Sequence, residues 1–416
     1  AMAVARTLEG MPTVRRAFSA LYRRGVYFAK WRPNPAAVLS EGVLATDVDL
    51  ELKGGDARAS TFFGYYEKSP WCLGGEYLLY HRAVHGETEV RLVVSDGSVA
   101  RELGRSPAWN WQQGAMLQWL PGTSGVVLYN DIIAGNLRTR LVDLAGQQVA
   151  EWDRPVQAIS PTGESAVSLN YLRLTELRPE YGYTVPAANF SPDAPEGADG
   201  LWAIDPKSGN SELVASLARL AAIDPDSSMR GAKHKVNHAL YSPAGSRVVF
   251  LHRWFASDGR RSRLMVADVA SWDVRAVHLS RVISHYYWVS ESELICWCRG
   301  TDGADAYHRI DVVTGSVTRW QPESLSRWGD GHPSSADGGA TIITDTYPDS
   351  RRFQRLLRVG TGESQPTELA RFHAPWRFDG FTRCDLHPRM HPNGRTVCVD
   401  SAHSGTRRVY LLRLAR

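Results

Sequence analysis

The chain has 416 residues, of which 43% are hydrophobic, and a formal net charge of +4. This composition provides enough apolar material for the core of one large domain or of two ordinary ones. The mild charge, with no basic run among aromatic residues, argues against a nucleic-acid-binding protein, and no apolar run is long enough to cross a bilayer, which argues against a membrane protein.

The first 40 residues predict an extension that is partly helical and packs outside the main domain, which spans residues 41–416. Arg15, Arg16 and Arg23 interrupt the only apolar stretch near the N-terminus, so a secretory pattern is missing. We expect a cytoplasmic protein, or a periplasmic or secreted one if a signal peptide has been removed. We also expect a monomer.

Seven copies of one pattern follow one another through the main domain, each with a short strand, a tight turn and a hydrophobic strand. The copies are Ser69–Arg82, Met116–Asp131, Val156–Asn170, Leu240–Arg253, Tyr287–Arg299, Pro333–Asp345 and His387–Asp400. Several turns contain Pro and Gly, as in Pro161-Thr162-Gly163, which is hairpin chemistry. A second hairpin follows each copy, so four strands recur roughly every 40 to 50 residues.

This period predicts an all-β fold, a seven-bladed β-propeller with four-stranded blades. The seventh copy ends one strand short, and the early strand Leu44–Leu52 is predicted to pair with the last blade and close the ring. A pair of β-sandwiches is the alternative, although sandwiches do not produce a regular double-hairpin period. An insertion at about residues 173–200 separates the third and fourth copies, and long insertions of this kind are often lids or binding loops.

Four of the repeats carry a histidine where the first strand begins. These residues are His238, His285, His332 and His387. Equivalent positions in a ring of repeats surround its axis, so we expect the four side chains to converge. Any one of them fits a structural role, but four at the same repeat position favour a functional one. Histidine supplies a general base near neutral pH or a neutral metal ligand.

Further polar residues share the histidine face, because the start of the first strand and the end of the second lie on the same side of a blade. They are Tyr66, Lys68, Gln112 and Asp385 at strand starts, and His81, Arg82, Tyr171, Arg173, Arg253, Arg299 and Tyr347 at strand ends. Arg and Lys side chains attract carboxylate and sulfate groups. We therefore expect an acidic oligosaccharide or polysaccharide as the partner of this face. A scaffold role for pairs such as His81-Arg82 stays open.

Several short motifs resemble those of a known family. The motifs are Phe63–Lys68, Asn237-His238, Ser284–Trp288, and Cys384–Arg389 followed by Pro392-Asn393-Gly394. In these segments the chain resembles the oligogalacturonate lyases, and the resemblance runs from about residue 60 to the end. It implies a seven-bladed propeller that cleaves uronate-containing oligosaccharides by β-elimination.

The resemblance also implies a divalent cation, manganese or calcium. The family binds it through a histidine that opens the fifth blade and two histidines of a His-Pro-His-Pro motif, with a glutamine upstream. Here His285 matches the first ligand and His387 the second histidine of the motif, whereas Asp385 replaces the other and the glutamine position falls near Thr382. Since aspartate also binds manganese, the predicted ligands are His285, Asp385 and His387.

β-Elimination requires a base for the weakly acidic proton beside the uronate carboxylate, and a positive charge that neutralises this carboxylate. The resemblance assigns the base to His238. His332, Tyr66 or Tyr347 is predicted to protonate the leaving oxygen. The predicted substrate-binding residues are Lys68, His81, Arg82, Gln112, Tyr171, Arg173, Arg253 and Arg299.

Two other functions stay open. A glycoside hydrolase would use carboxylates of the same face, such as Asp345 and Asp400. A non-catalytic propeller would bind carbohydrate or another protein there, since a fold alone does not decide function. Only the lyase forms an unsaturated product that absorbs ultraviolet light.

Overall fold

The computed structural model describes residues 21–28, 35–50, 52–320 and 323–414, so residues 1–20 and 29–34 of the predicted extension lie outside the described residues. Within these ranges the strands form seven four-stranded antiparallel sheets. The sheets are arranged as blades in a ring, and the prediction of a seven-bladed β-propeller is confirmed.

Two short strands, β1 (Ala37–Leu39) and β2 (Leu44–Asp47), precede the first blade. Blade 1 contains β3 (Ser60–Phe62), β4 (Leu78–Ala83), β5 (Val90–Ser95) and β6 (Ala100–Ser106). Blade 2 contains β7 (Gln118–Trp119), β8 (Val127–Ile133), β9 (Asn136–Val142) and β10 (Gln148–Trp152). Blade 3 contains β11 (Ala158–Ile159), β12 (Ala166–Ser168), β13 (Gly200–Ile204) and β14 (Ser211–Ser216).

Blade 4 contains β15 (Lys233–Tyr241), β16 (Arg247–Ala256), β17 (Gly259–Asp268) and β18 (Val274–Ser280). Blade 5 contains β19 (Ile283–Trp288), β20 (Glu293–Arg299), β21 (Asp305–Asp311) and β22 (Val317–Arg319). Blade 6 contains β23 (Thr341–Asp345), β24 (Phe353–Gly360), β25 (Thr367–His373) and β1. Blade 7 contains β26 (Arg389–Met390), β27 (Thr396–Ser401), β28 (Arg408–Arg413) and β2.

The helices are short and lie outside the sheets. They are α1 (21–28), α2 (Tyr171–Leu177), α3 (Leu217–Ala222) and α4 (Glu323–Ser326), with 3₁₀ turns at Pro179–Tyr181, Ser227–Met229 and Gly380–Thr382. No helix among the described residues is long and apolar enough to cross a membrane. The predicted insertion corresponds to α2 and the loop after it, which separate the second and third strands of blade 3.

The hydrophobic core lies between the blades, so a middle strand is buried on both faces. In β16 the four consecutive residues Val248, Val249, Phe250 and Leu251 are all fully buried. Because side chains alternate along a strand, Val248 and Phe250 pack in the cluster shared with blade 3, whereas Val249 and Leu251 pack with blade 5. Apolar packing between blades leaves polar side chains for the axis and the rims.

Strands from the N-terminal part of the chain complete the last two blades. β2 pairs antiparallel with β28, placing Leu44 opposite Arg413 and Asp47 opposite Tyr410. This strand ends at Asp47, earlier than the predicted Leu44–Leu52. β1 pairs with β25 of blade 6, which the repeat pattern did not predict. Residues 37–39 therefore belong to the propeller, and the predicted boundary at residue 40 lies too far along the chain.

A buried ion pair in blade 7 fixes the segment that leads to the axis. Arg389 donates to Asp400 at 2.9 Å, and both side chains are at most 2% exposed. The same carboxylate accepts the backbone N–H groups of Phe63 at 3.0 Å and Gly64 at 3.2 Å. The pair thus connects blade 7 to the first residues that leave blade 1 toward the centre.

Replacing Arg389 with Ala is expected to lower the free energy of unfolding by about 3–5 kcal/mol, because the buried carboxylate of Asp400 loses its positive partner. Urea unfolding followed by tryptophan fluorescence measures this loss. The control is Arg105→Ala, since Arg105 is 45% exposed in its pair with Glu102 and such a pair contributes at most about 1 kcal/mol. Equal losses in the two variants would contradict the structural role of the buried pair.

Candidate functional site

The four histidines predicted to converge lie together on the propeller axis. Ring centroids are 4.1 Å apart for His285 and His332, 4.3 Å for His332 and His387, and 6.4 Å for His238 and His285. Each residue is at most 4% exposed. We call these four residues the histidine cluster.

Local irregularities in the inner strands aim two of the histidines at the axis. His238 lies in a β-bulge between Asn237 and Leu240, and its φ of +57° is in the left-handed region. His285 lies in a bulge between Ile283 and Tyr286. A bulge adds one residue to a strand and changes the direction of its side chain. Non-glycine residues with positive φ are uncommon and concentrate at functional sites.

Two tyrosines from blade 1 cross the axis and contact all four histidines. The inner edge of blade 1 is interrupted between Phe62 and Trp71, and the intervening chain extends into the ring. Ring centroids of Tyr65 and Tyr66 lie 5.0 to 6.4 Å from those of the histidine cluster. Gly64 permits this path, since its φ is +121° and a Cβ atom would lie 2.9 Å from the Gln113 backbone.

His238 is held by an acid and a hydroxyl group. Its Nε2 atom lies 2.8 Å from Glu67 Oε2 and 3.2 Å from Tyr66 Oη. Tyr286 stacks on the imidazole with 4.2 Å between centroids. Burial lowers the pKa of His238 despite the opposing charge of Glu67. Burial raises the pKa of Glu67, but interactions with Lys68 and His238 outweigh burial and lower this pKa to about 2.

Asp345 joins the histidines of blades 6 and 7. Its carboxylate accepts the Nδ1–H of His332 at 2.8 Å, the backbone N–H of His332 at 2.8 Å and the backbone N–H of His387 at 3.0 Å. The Nδ1 atom of His387 lies 2.8 Å from the carbonyl oxygen of Gly64. Both imidazoles are therefore oriented through Nδ1, which leaves Nε2 as the free atom of each ring.

In the histidines and the aspartate of blades 6 and 7, three buried atoms have no hydrogen-bond partner within the described residues: Nε2 of His332, Nε2 of His387 and Oδ1 of Asp385. Potential ligand atoms of these three residues lie within 4.8 Å of one another. Unsatisfied buried polar atoms are costly, and two imidazole nitrogens with one carboxylate oxygen are a donor set that suits a divalent cation. The residues present therefore fit a cation.

This group differs in one member from the predicted set of His285, Asp385 and His387. His332 takes the place of His285, because a ligand atom of His332 lies within 4.8 Å of those of Asp385 and His387 and His285 is not in this group. The Nδ1 atoms of both histidines are engaged by a carboxylate, Asp345 for His332 and Asp330 for His285. His285 remains adjacent through its ring contact with His332. The sequence did not reveal this choice, since both histidines occupy the same repeat position.

The histidines differ in their protonation tendencies. Burial lowers the pKa of His285 to about 4, although Asp330 opposes it. Burial and the charges of His332 and Arg389 lower the pKa of His387 well below its usual value. Burial also lowers the pKa of His332, but Asp345 and other carboxylates outweigh burial, so the net shift of this pKa is upward.

The site lies between two cavities. A cavity of about 410 Å³ on the histidine face is lined by Tyr347 and Arg383 together with residues of α1. Tyr347 lies 5.8 Å from His332 between ring centroids, and Arg383 donates to Asp385 at 2.7 Å. A cavity of about 760 Å³ opens on the face with the Pro/Gly turns and contains Glu67 and Lys68 in its lining.

The insertion of blade 3 covers the histidine cluster. Tyr181 contacts Tyr65 edge to face at 5.7 Å, and the Arg178 guanidinium lies 4.6 Å from the centre of the Tyr181 ring. The insertion therefore lies on the same face as the histidine cluster. Tyr65, Tyr181 and Glu67 were not among the predicted site residues, although Tyr65 and Glu67 lie within the motif that suggested the family.

Several predicted substrate-binding residues are not brought to the cluster. Arg82 pairs with Asp49, Arg173 with Asp199 at 2.5 Å and Arg299 with Asp305 at 2.7 Å. His81 stacks on Phe62 inside blade 1, and Tyr171 donates to Gln157 inside blade 3. His81, Arg82 and Arg299 lie in strands as predicted, whereas Tyr171 and Arg173 lie in α2 and not at a strand end. Local partners occupy all five side chains.

Three others lie close to the site. Gln112 accepts from Arg383 at 3.3 Å and donates to the carbonyl oxygen of the same residue at 2.8 Å. Lys68 reaches the site through Glu67 at 2.6 Å. Arg253 is buried beside blade 5, where it donates to the carbonyl oxygen of Ile283 at 2.9 Å.

No protein-family profile matches the sequence, and no curated protein sequence matches it. Solved structures do match. The fold is similar to that of an oligogalacturonate lyase in complex with manganese, with a TM-score of 0.61 and 16% identity over 92% of this chain and 99% of that chain. An oligogalacturonate lyase from Vibrio parahaemolyticus gives a TM-score of 0.58 and 15% identity over 91% of this chain and 98% of that chain. At these identities the likeness concerns architecture, and the chain has the seven-bladed propeller fold found in oligogalacturonate lyases.

Proposed function

We propose that this protein is a lyase that cleaves a uronate-containing oligosaccharide or polysaccharide by β-elimination at the histidine cluster. One observation supports the proposal most strongly. A histidine paired with a carboxylate, a tyrosine hydroxyl and three unsatisfied ligand atoms all lie in the same buried region. The fold shared with oligogalacturonate lyases supports the same reaction class.

His238 is the proposed base. Its lowered pKa keeps the imidazole neutral and able to accept the proton from C5 of the uronate. Glu67, at 2.8 Å, stabilises the imidazolium that forms, as the carboxylate partner of a catalytic histidine does in other enzymes. The electron pair of the C5–H bond forms the new double bond, and the bond from C4 to the glycosidic oxygen breaks.

Tyr66 is the proposed acid for the departing oxygen. Its hydroxyl lies 3.2 Å from His238, so the groups that remove and return a proton are adjacent. The backbone N–H of Tyr286 donates to the same hydroxyl at 3.0 Å, which fixes its position. Tyr347 and His332 were the other predicted acids, and Tyr347 instead lines the cavity through which we propose that substrate enters.

His332, Asp385 and His387 are the proposed ligands of a divalent cation, manganese as in the similar structure or calcium. When bound, the cation would neutralise the uronate carboxylate and so lower the cost of removing the neighbouring proton. Asp345 keeps the two imidazoles in the orientation that presents Nε2. Such outer partners are important for metal affinity.

The hydrolase alternative gains no support from Asp345 and Asp400, the two carboxylates named for it. Asp400 is committed to Arg389, and Asp345 is committed to His332 and His387. A hydrolase needs one carboxylic acid with a raised pKa, whereas the pKa of Asp345 is lowered, since the charge and hydrogen bonds of His332 outweigh burial.

A screen of uronate polymers and oligomers tests the proposal. We expect an increase in ultraviolet absorbance with at least one uronate substrate, no increase with the matching neutral glycans, and a lower rate after chelation of divalent cations. The proposal would be contradicted if absorbance stayed constant with every uronate substrate in the presence of added manganese or calcium.

A further inference from the structure

A second group of charged residues lies beside the histidine cluster, on blade 4. Lys235 of β15 is directly opposite Arg253 of β16 in the antiparallel register. Residues opposite each other on neighbouring strands project from the same face of the sheet. The two cations therefore lie side by side, and they are only 1% and 3% exposed.

Neither buried cation has an acidic hydrogen-bond partner in the described part of the chain. The Nζ atom of Lys235 has no hydrogen-bond partner there at all, and it lies 5.8 Å from the centre of the Phe255 ring. Arg253 donates to Ser262 Oγ at 3.1 Å and to the carbonyl oxygen of Ile283 at 2.9 Å, both neutral acceptors. A buried positive charge without a counter-ion is unfavourable unless an anion binds to it.

Two more arginines add positive potential at the same place. Arg260, at the start of β17, is exposed, whereas Arg178 lies over Tyr181 in the insertion. Burial, followed by the charges of Arg253, Arg178 and Arg260, lowers the pKa of Lys235 well below its usual value, and Glu180 opposes this only weakly. Burial and the charges of Arg260 and Arg178 lower the pKa of Arg253 to about 9.

The four cations adjoin the proposed base. Arg253 is near enough to His238 and Tyr286 to affect the pKa of each, and Tyr286 stacks on His238. Arg178 reaches the cluster through Tyr181 and Tyr65. The unsatisfied atoms of His332, Asp385 and His387 form a separate group that suits a cation, so it is the basic residues of blade 4 and the insertion that suit a negatively charged oxygen atom directly.

We propose that Lys235, Arg253, Arg260 and Arg178 form a carboxylate-binding site for a second acidic sugar unit, next to the unit whose proton His238 removes. The proposal rests on the lyase function for the role of the bound unit, but binding itself requires no reaction. Arg253 and Arg260 offer planar guanidinium groups that suit carboxylate geometry, and Lys235 supplies a buried amino group whose protonated form a bound carboxylate would favour. An enzyme with this site prefers substrates with consecutive uronates.

Calorimetric titration with galacturonate tests the site. We expect the wild type to bind galacturonate and to bind the methyl ester of galacturonate, in which the carboxylate is neutralised, at least tenfold more weakly. Lys235→Met removes the buried amino group and is expected to weaken galacturonate binding at least tenfold. The matched control is Lys233→Met on the same strand, since Lys233 is 56% exposed and pairs with Glu176; its affinity should equal that of the wild type.

Arg260→Met provides a second variant at an exposed position, where folding is not at risk, and it is also expected to weaken binding. Unchanged affinity in both Lys235→Met and Arg260→Met would overturn the site. If galacturonate binding is lost in these variants while no uronate polymer is cleaved by the wild type, the carboxylate site stands and the lyase function fails. If the wild type cleaves a uronate polymer and Lys235→Met has the same KM for it, the lyase stands and the carboxylate site fails.

Discussion

Replacing His238 with Ala is expected to lower the rate of unsaturated-product formation by about 10²- to 10⁴-fold, the usual contribution of a general base. The imidazole is the group that Glu67 and Tyr66 position, and its lowered pKa leaves it neutral and ready to accept a proton. The measurement is the initial rate of absorbance increase on the uronate substrate identified by screening, with thermal melting to verify the fold.

The control for this prediction is His85→Ala, since His85 is exposed in the loop after β4. That variant should retain the wild-type rate. A His238→Ala protein that melts normally and keeps full activity would remove His238 from the mechanism. A Glu67→Gln variant adds a finer test, because it keeps the size of the side chain but loses the charge that stabilises the imidazolium.

Asp385→Asn is expected to weaken manganese binding at least about 100-fold, since the loss of outer-shell partners alone costs 10- to 100-fold and Asp385 supplies a ligand atom itself. The buried Oδ1 atom of Asp385 has no hydrogen-bond partner among the described residues, and ligand atoms of Asp385, His332 and His387 lie within 4.8 Å of one another. The readout is the rise in Tm on addition of manganese, which follows from binding to the folded state alone. We expect this rise in the wild type and its loss in Asp385→Asn.

Asp273→Asn is the control, because the Asp273 side chain is 86% exposed and far in sequence from the ligand group. It should show the same manganese-dependent rise in Tm as the wild type. If Asp385→Asn and Asp273→Asn respond to manganese alike, the cation does not bind at the proposed ligands. A parallel His387→Ala variant distinguishes loss of a ligand from loss of the contact between Asp385 and Arg383.

The sequence predicted the architecture because a propeller repeats one unit, and the repeat is visible in turns and strand spacing. The same logic placed His238, His285, His332 and His387 at equivalent positions, and the ring brings them together. It did not predict β1, since a strand of three residues has too little pattern to be recognised.

What the repeat could not predict is which partner each side chain takes. Arg299 ends a strand as predicted and Arg173 lies in α2 instead, and carboxylates within reach of each form ion pairs with them. Likewise, His332 pairs with Asp345 and His285 with Asp330 through the same ring atom, and only the folded structure shows that His332 belongs to the ligand group. Asp199 and Asp330 lie in loops, whose paths are set by tertiary packing, whereas Asp305 and Asp345 lie at strand ends, where the repeat gives the position but not the hydrogen-bond partner.

The largest difference between the predicted and the observed site is the chain segment of blade 1 that lies at the axis. The motif Phe63–Lys68 resembles one in the lyase family, but its sequence does not predict that this segment leaves blade 1 and crosses the ring. Glu67 and Tyr65 were therefore not predicted as site residues, although they contact the predicted histidines. Lys235 was missed for a different reason: three residues before His238 on the same strand, it carries no motif, and only the register with Arg253 reveals it.

The most direct test of the central claim is the mass balance of the products formed from a defined uronate oligosaccharide. A β-elimination at the histidine cluster predicts fragments whose masses add up to that of the substrate, with the unsaturated end on one fragment. Fragments that together exceed the substrate by the mass of one water for each cleaved bond would instead show hydrolysis and contradict the proposed reaction.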